Sequence, residues 1–446
     1  MNQPILQPDT NDETITPAMG SLSTQPYKGT RDFYPEDKQR QNYIFGVWRT
    51  VVERFGYQEY GAPILEPLEV YTAKSGQELA NEQTYTFEDR GGRTVAIRPE
   101  MTPSISRMVA ARRQELAYPA RLYSIANFMR YERPQRGRER EFWQLNVDVF
   151  GVDNDQADIE IITIADAILK EFGAAETDYQ IRINNRTFIN DVMTQWLGLD
   201  EATTRSMVKL LDRKNKITEA DFNDQAFEIL NDEAGVAKLQ QLVAVTDLSA
   251  LPEELQSYES LSSLRRVIET LNDRGVGAAG FDMTLMRGLD YYTGTVFEVF
   301  DTHPDNNRSL FGGGRYDGLV GLFGAEPISA VGTAPGSSMI ENFLEVRGLF
   351  PAFAPTAVAY IIVIDEQYQA ANELATTLRT AGVSVEIDIT GRKVDKQIKT
   401  AFKKQIPYMI FVGENESTTG EYTLKNTTND DGQTLNLEQL VEALSK

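Results

Sequence analysis

Two arginine-containing segments carry the residues best suited to chemistry in this chain. The first, Leu285 to Glu298, places Arg287 near the adjacent tyrosines Tyr291 and Tyr292, on a run with the pattern of a strand. The second, Phe128 to Arg140, holds more arginine than packing explains. Because a guanidinium can bind two phosphate oxygens at once, the two segments predict a pocket for a phosphate ester.

The second segment admits two interpretations, because glutamates partly neutralise its arginines. The arginines are Arg130, Arg133, Arg136, Arg138 and Arg140, and the glutamates are Glu132, Glu139 and Glu141. A solvated loop of salt bridges is one interpretation. The other is an anion site, which Arg130 favours: it falls in the strand-like portion, where an unpaired guanidinium is costly unless an anion binds.

Two shorter segments are ambiguous by themselves. In Arg98 to Pro103, Thr102 could be a helix N-cap with Pro103 at the first helical position, and Glu100 could hold a ligand ammonium only if it faces a cleft. The glycine-rich Phe311 to Gly318 lacks the lysine of a P-loop. It predicts either a tight turn or a close approach of backbone to a ligand.

Charge and composition exclude several classes of function. Lysine and arginine total 44 against 66 acidic residues, so the net charge is 44 − 66 = −22, and a polyanion would need a local basic patch. The chain has no cysteine, which removes disulfides and thiolate chemistry. Its one histidine, His303, lies in a turn-rich loop, so a histidine base is not expected.

A basic stretch near the C-terminus is such a patch. Its six cations are Arg392, Lys393, Lys396, Lys399, Lys403 and Lys404. Their spacing places several on one side of a helix, which is typical either of a solvated helix face or of a surface for a phosphate backbone.

The 446 residues predict two or three domains. Residues 1–25 are expected to be a disordered acidic leader, and no run is apolar enough for a spanning helix. An amphipathic helix should follow Pro35 and stop at Gly56. Strand patterns at Tyr85 to Arg98 and Arg121 to Phe150 predict an antiparallel sheet, and residues 187–272 a helical insertion. After Pro355, alternating strands and helices indicate a parallel sheet with crossover helices.

Taken in order, these segments resemble the histidyl-tRNA synthetase family of class II aminoacyl-tRNA synthetases, from Tyr27 to the C-terminus. The matching segments are Lys28 to Asp32, the helix ending near Gly56 with Pro63 (motif 1), Arg130 to Glu132 (motif 2), Arg287 to Tyr292, and Gly313 to Gly318. The resemblance implies an α+β fold: an antiparallel catalytic sheet flanked by helices over 26–350, with the insertion, and an anticodon-binding α/β domain over 355–446. It also implies a cytoplasmic homodimer whose interface motif 1 builds.

The resemblance assigns roles to particular residues. Glu100, Thr102 and Gln144 would hold the ammonium group of histidine, with backbone of Met101 beside them, and Arg130 and Arg287 would bind its carboxylate and the α-phosphate of ATP. Asp148 and Tyr292 would recognise the imidazole, with Tyr291 beside them and Tyr316 closing the pocket. Catalysis would rest on Arg130, Arg287 and Gln144, and tRNA would meet Gln135, Arg136, Arg138, Arg140, Arg392, Lys393, Lys396 and Lys399.

The implied reaction joins histidine to tRNA(His) through an adenylate made from ATP with Mg²⁺. Two residues depart from the family pattern: Met339 stands where motif 3 usually supplies an arginine, and Asp148 is shorter than the glutamate many members carry. Two alternatives stay open. One is a non-catalytic, histidine-sensing paralogue like the regulatory subunit of ATP phosphoribosyltransferase, and the other is a class II synthetase for another amino acid.

Overall fold

The structure is a computed structural model that describes residues 22–72, 82–133, 135, 137–214, 217–286, 291–306, 308–352, 354–429 and 431–445. The chain divides into two compact units between Phe350 and Pro351. Of the predicted leader, only residues 22–25 are described, and they are exposed. No helix in these ranges is long and apolar enough to cross a membrane.

The first unit begins with the predicted amphipathic helix. The helices of this unit are α1 (Pro35–Arg54), α2 (Glu69–Thr72), α3 (Thr102–Ala111), α4 (Gln156–Glu171), α5 (Arg186–Asp191), α6 (Glu201–Asp212), α7 (Glu219–Leu230), α8 (Glu233–Val243), α9 (Glu259–Asp273) and α10 (Ser337–Arg347). Pro35 opens α1, and Gly56, at φ +81°, follows its end. Ile44, Trp48 and Val52 recur on one face and are at most 1% exposed.

A large sheet forms the centre of the first unit. Its strands, in spatial order, are β1 (Gln58–Glu59), β5 (Ala120–Met129), β6 (Glu141–Phe150), β11 (Ala330–Thr333), β10 (Ser309–Arg315), β9 (Thr295–Asp301), β7 (Tyr179–Asn185) and β8 (Ala279–Phe281). Neighbours pair antiparallel except at the two edges, where β1 runs parallel to β5 and β8 parallel to β7. The predicted fold class, an antiparallel sheet flanked by helices with a C-terminal α/β domain, is confirmed.

The strand pattern at Tyr85 to Arg98 does not join that sheet. It forms β3 (Thr86–Glu88) and β4 (Thr94–Ile97), which pair with β2 (Leu65–Pro67) in a separate three-stranded sheet. The residue pattern predicted strands correctly, but which sheet a strand joins depends on pairing partners far away in sequence.

Helices occupy the predicted insertion, and they do not form a core of their own. Buried side chains from α6, α7, α8 and α9, such as Leu210, Phe222 and Leu264, belong to the same apolar cluster as those of the large sheet. α9 packs against α4 and against strands β7 and β8. The helices of this insertion therefore pack against the large sheet and share its apolar core.

The second unit has the alternating elements expected after Pro355. They are β12 (Ala359–Val363), α11 (Tyr368–Thr380), β13 (Val385–Ile387), α12 (Val394–Lys403) and β14 (Tyr408–Val412), followed by α13 (Glu414–Thr419), β15 (Glu421–Asn426), β16 (Gly432–Asn436) and α14 (Leu437–Leu444). β13, β12 and β14 are parallel, as predicted. β15 and β16 extend the sheet as an antiparallel hairpin, which the sequence interpretation missed.

Candidate active site

A cavity of about 1060 Å³ opens on one face of the large sheet. β6 supplies one wall of the cavity. Alternate residues of a strand point to the same face of the sheet, so every second residue of β6 can line the cavity. Gln144, Asn146 and Asp148 are three such residues, and all three line the cavity. Gln144 is fixed by donating from Nε2 to the carbonyl oxygen of Ala334, 2.9 Å away.

Asp148 marks the closed inner end of the cavity. It is only 4% exposed, and the Tyr316 hydroxyl donates a hydrogen bond to its carboxylate. Burial raises the pKa of Asp148 to about 7, while the Tyr316 hydrogen bond opposes the rise. Gly332 lies opposite Asp148 in register, and a side chain there would collide with the carboxylate. This glycine therefore makes room for the acid.

Tyr291 and Tyr292 line the same end, but they do not lie on a strand. β9 begins only at Thr295, so both tyrosines precede it in the connecting segment, and the predicted strand placement is wrong for them. Their ring centroids are 5.0 Å apart, and that of Tyr291 is 5.9 Å from Tyr316. The hydroxyl of Tyr291 donates to Glu100 over 3.4 Å.

Gly312 to Gly314 of the glycine-rich segment lie in strand β10 rather than in a tight turn, and a turn follows at Asp317 and Gly318. A Cβ on Gly314 would lie 2.6 Å from the carbonyl oxygen of Thr295 and 2.9 Å from the Tyr292 ring. Because these glycines have no side chain, the neighbouring strand and the Tyr292 ring can lie close to the backbone of β10. Of these glycines, Gly312 is on the cavity wall.

The start of α3 contributes the next group. Glu100, 4% exposed, and Thr102 line the cavity, so the glutamate does face a cleft. The N-cap is Met101 and not Thr102, and it makes no side-chain cap hydrogen bond. The Met101 side chain is buried with Phe128 in an apolar cluster. Because its side chain is buried, Met101 can offer a ligand only its backbone groups.

The outer end of the cavity is charged and more open. Arg130 lines it, one residue beyond the end of β5 rather than within the strand. The guanidinium has a partner within the chain: its Nε donates to the carbonyl oxygen of Pro99 over 2.9 Å. Arg138 and Gln135 line the same end, and Arg138 pairs with Glu132 at 3.3 Å.

Two further residues of the outer end come from the segment just before β10 and from α10. Met339, in the position where the family usually has arginine, lines the cavity. So does Arg308, just before β10, whose Nη2 donates to Gln135 over 3.5 Å. Antiparallel pairing of β10 with β11 brings the region of Arg308 towards the start of α10. A cation that sequence reasoning missed therefore lies at the same end as Met339.

Other predicted site residues lie elsewhere. Arg140 is 8% exposed and lines a separate small cavity beside the main one. Arg136 and Arg287 fall outside the described residues, so their predicted roles remain predictions. Among the residues described, no group of three or more His, Asp or Glu side chains is placed to hold a metal ion.

Polar groups behind the inner end were also missed. The Asn146 amide nitrogen and the Ser124 hydroxyl are buried and make no hydrogen bond within the described part of the chain. They are partners across the β5–β6 pair. Burial, and then the charge of Asp148, hold the pKa of neighbouring Tyr60 well above its usual value. The family resemblance assigned roles to Gln144 and Asp148, and strand alternation between those two positions could have pointed to Asn146.

In the second unit, the basic residues lie on and just before α12. Lys396 and Lys399 are exposed, whereas Gln397 faces inward and bonds to both backbone polar atoms of Val363. Lys393 is the exposed N-cap. Arg392 pairs with Asp388 at 2.6 Å. The lysines therefore form the more accessible part of the predicted basic surface.

Comparison with known proteins finds matches over most of the chain. A family model described as histidyl-tRNA synthetase matches residues 29–338, and one described as anticodon binding domain matches 358–446. The histidine–tRNA ligase of Leptospira biflexa is 40% identical over 434 residues, covering 95% of this chain and 99% of the relative. That of Halorubrum lacusprofundi is 35% identical over 422 residues, covering 92% and 95%.

Solved structures show the same fold. Histidyl-tRNA synthetase from Nostoc sp. PCC 7120 superposes with a TM-score of 0.81 at 24% identity, covering 95% of this chain and 99% of that one. An ATP phosphoribosyltransferase regulatory subunit/histidyl-tRNA synthetase from Bacillus halodurans C gives 0.72 at 25% identity, covering 85% and 97%. From the family models and the extent of identity with its relatives, the chain belongs to the histidyl-tRNA synthetase family.

Proposed function

We propose that this chain is a histidine–tRNA ligase that uses ATP to activate L-histidine and then esterifies tRNA(His) with it. One observation carries the assignment of the reaction to the large cavity: a buried carboxylate with a hydroxyl partner, Asp148 and Tyr316, closes one end, while guanidinium groups line the other. The first suits an imidazole and the second a polyphosphate.

Histidine would sit with its imidazole at the inner end. An imidazole N–H donates to the Asp148 carboxylate, and Tyr292 and Tyr291 border the ring. Such a site rejects isosteres that leave its buried polar groups unpaired. The amino acid's ammonium group meets Glu100, Thr102 and Gln144, which line the adjoining wall. Its carboxylate then points to Arg130, towards the outer end.

Activation needs positioning and charge stabilisation rather than a covalent nucleophile on the protein. A carboxylate oxygen of histidine attacks the α-phosphorus of ATP, the bond from that phosphorus to the oxygen that bridges it to the β-phosphorus breaks, and pyrophosphate leaves with that oxygen. Arg130, and Arg287 by family resemblance, stabilise charge on the transferring phosphoryl group. The terminal ribose hydroxyl of tRNA then attacks the activated carbonyl, loses its proton, and AMP leaves.

Magnesium would enter with the nucleotide, because Mg²⁺ is usually held by substrate phosphates together with one or two carboxylates. Glu132 and Glu139 are two carboxylates of the outer end that would serve this role. The ion would neutralise polyphosphate charge. Arg308 and Arg138 are placed to bind the nucleotide beside it, and Arg308 supplies positive charge at the end where Met339 lacks it.

The tRNA would contact both units. Gln135, Arg136, Arg138 and Arg140 belong to the segment proposed to face the acceptor end, and Arg392, Lys393, Lys396 and Lys399 to the anticodon-binding surface. Reversing the charge of Lys396 and Lys399 should weaken tRNA binding and flatten its salt dependence, because fewer counterions are released. Pyrophosphate exchange, which needs no tRNA, should not change. Equal damage to both reactions would contradict the assignment.

We also propose a cytoplasmic homodimer. The three-stranded sheet that follows α1 carries Leu65 and Phe87, which are 43% and 46% exposed. Neighbouring Ile64 is 45% exposed. Several exposed apolar side chains on or beside one small sheet are typical of a protein interface. A solution mass of one chain at micromolar concentration would contradict the dimer.

The regulatory paralogue has less support than the ligase. Its case rested on Met339, and Arg308 offers a cation at the same end of the cavity. The match to an anticodon binding domain over residues 358–446 also favours the ligase. The ATP-pyrophosphate exchange assay with each of the twenty amino acids tests the proposal. We expect exchange with histidine alone, and exchange with none would favour the regulatory function.

A further inference from the structure

Three tyrosines from distant parts of the chain meet beside the active-site cavity, and we call Tyr27, Tyr85 and Tyr131 the tyrosine cluster. The hydroxyl oxygens of Tyr27 and Tyr85 are 3.4 Å apart. The rings of Tyr85 and Tyr131 have centroids 5.5 Å apart and planes at 74°. Burial, followed by the hydrogen bond with Tyr27, raises the pKa of Tyr85 to about 12.

Arg140 packs against two of the three tyrosines of the cluster. Its guanidinium lies 4.0 Å from the centroid of the Tyr131 ring and 5.5 Å from that of Tyr27. Nη1 donates to the Tyr27 hydroxyl over 2.9 Å, and Nε to the carbonyl oxygen of Glu132 over 3.2 Å. The Arg140 backbone N–H is bound by the carbonyl oxygen of Gly29 at 2.7 Å. The rings are therefore fixed against a cation.

The outer surface of the cluster is nevertheless open. Tyr27 and Tyr131 are each 54% exposed, although large rings normally bury most of their area in a folded chain. A cavity of about 240 Å³ adjoins them, and Lys28 and Arg133 line it with Arg140. This is a local concentration of positive charge and ring faces on a chain whose net charge is −22.

The cluster is continuous with the active site. Glu132 lines both the small cavity and the large one. The backbone N–H of Tyr131 donates to the carbonyl oxygen of Gln83 over 2.7 Å, and Gln83 lines the large cavity. A single strand of nucleic acid that enters the large cavity from this side passes over the exposed rings.

We propose that the tyrosine cluster is a stacking platform for the unpaired 3′ nucleotides of tRNA, with Lys28 and Arg133 binding their phosphates. The inference rests on the proposed ligase function. Rigid ring faces flanked by cations are the usual means of holding single-stranded nucleic acid without reading its sequence. The terminal ribose must reach the histidyl group inside the large cavity, so the preceding nucleotides need support at its entrance.

Substitutions of Tyr131 and Tyr27 test the proposal. Tyr34 is the control, because it is an exposed tyrosine at the N-cap of α1. Loss of one stacked base costs about 1–3 kcal/mol, so Tyr131→Ala should lower kcat/KM for tRNA in aminoacylation by about 5- to 150-fold. Tyr27→Ala should act in the same direction. Tyr131→Phe, which keeps the ring face, should restore most of the activity, and Tyr34→Ala should change little.

Two measurements separate a platform from other roles. Pyrophosphate exchange with histidine should be the same in all variants. A tRNA that lacks its unpaired 3′ nucleotides should bind wild type and Tyr131→Ala equally, whereas full-length tRNA should bind the variant more weakly. With 2-aminopurine near the 3′ end, binding should quench fluorescence in wild type and Tyr131→Phe but much less in Tyr131→Ala.

Several results would overturn the platform. They are unchanged aminoacylation in both alanine variants, an equal fall in pyrophosphate exchange, an equal binding loss with the truncated tRNA, or a changed oligomeric mass, which would identify the surface as a contact between copies. If wild type exchanges pyrophosphate with no amino acid, the ligase function itself fails, and that outcome is distinct from all of these.

Discussion

The two ends of the large cavity use charge in opposite ways. At the inner end, one carboxylate, Asp148, is enclosed by Tyr316 and Gly332 and is barely exposed. At the outer end, cations such as Arg138 and Arg308 stand partly in solvent and contact acceptors such as Glu132 and Gln135. Burial makes the inner charge costly, whereas water screens the outer ones.

The difference indicates a division of labour. A buried group that lacks its partner loses both the hydrogen bond and its hydration, so the inner end can discriminate strongly between ligands. Exposed cations each contribute little, but together they attract and orient a polyanion. Substitutions at the inner end should therefore have large and specific effects, and those at the outer end smaller ones.

The largest effect should be on the pH dependence of stability. The Asp148 pKa rises from 3.8 to about 7 on burial, so between those pH values the folded chain keeps a proton that the unfolded chain releases. Stability therefore falls as pH rises across this window, by about 4 kcal/mol in total for this group. Asp148→Asn should remove that fall, which unfolding midpoints of the ligand-free proteins at pH 5 and pH 8 would reveal.

The control for this comparison is Asp153→Asn, because Asp153 is an exposed carboxylate nearby. Its pH profile should follow wild type. Parallel profiles for wild type and Asp148→Asn would mean that the buried carboxyl titrates like an exposed one, and the contrast between the two ends would be lost.

The same variant should next show the selectivity of the inner end. Asp148→Asn removes a charged acceptor for the imidazole, so kcat/KM for histidine in pyrophosphate exchange should drop about 10²-fold, equivalent to about 3 kcal/mol. KM for ATP should be little changed, because ATP is expected at the outer end. Equal losses for both substrates would contradict the division.

Two glycines that line the cavity, Gly332 and Gly336, offer a contrast in the space beside them. In Gly332→Ala the new methyl group meets the Asp148 carboxylate, so kcat/KM for histidine should fall about tenfold, as for overpacking by about 1.4 kcal/mol. In Gly336→Ala the methyl group finds no atom within 4 Å, so the same assay should give wild-type values. Similar behaviour of the two variants would show that space around Asp148 is not limiting.

The smallest effect should come from the outer end. Arg308→Ala should raise KM for ATP about fivefold, since an exposed cation contributes about 1 kcal/mol. Arg213→Ala is the matched control, because this exposed arginine likewise bonds a glutamine amide oxygen, that of Gln225, at 2.7 Å. An unchanged KM for ATP in the Arg308 variant would remove this residue from the nucleotide site.

Local periodicity was enough to predict several elements. α1 follows from its apolar spacing between Pro35 and Gly56, and the β5–β6 hairpin from two aromatic and β-branched runs around a polar loop. The parallel strands of the second unit followed in the same way, since each buried strand reads as a continuous apolar run. These features depend on neighbours in the sequence.

Other features depended on contacts between distant segments. The glycines of β10 signalled a turn, but β10 lies between β9 and β11 and needs glycine for close strand approach. Arg140 belongs to the arginine-rich segment, yet it turns away to pack beneath Tyr27 and Tyr131. Arg308 was not predicted as a site residue, because it belongs to no cluster or motif in the sequence.

By itself, the sequence determined the residue types available for chemistry, the order of the elements and the family to which the chain belongs. Only the tertiary structure decided which charges are buried and which remain in water. Asp148 shows why: burial raises the pKa of its carboxyl group, a tyrosine 168 positions later opposes the rise through a hydrogen bond, and a glycine on the facing strand leaves room for the group. Such an environment is a property of packing, because the cost of burying a charge depends on everything that surrounds it.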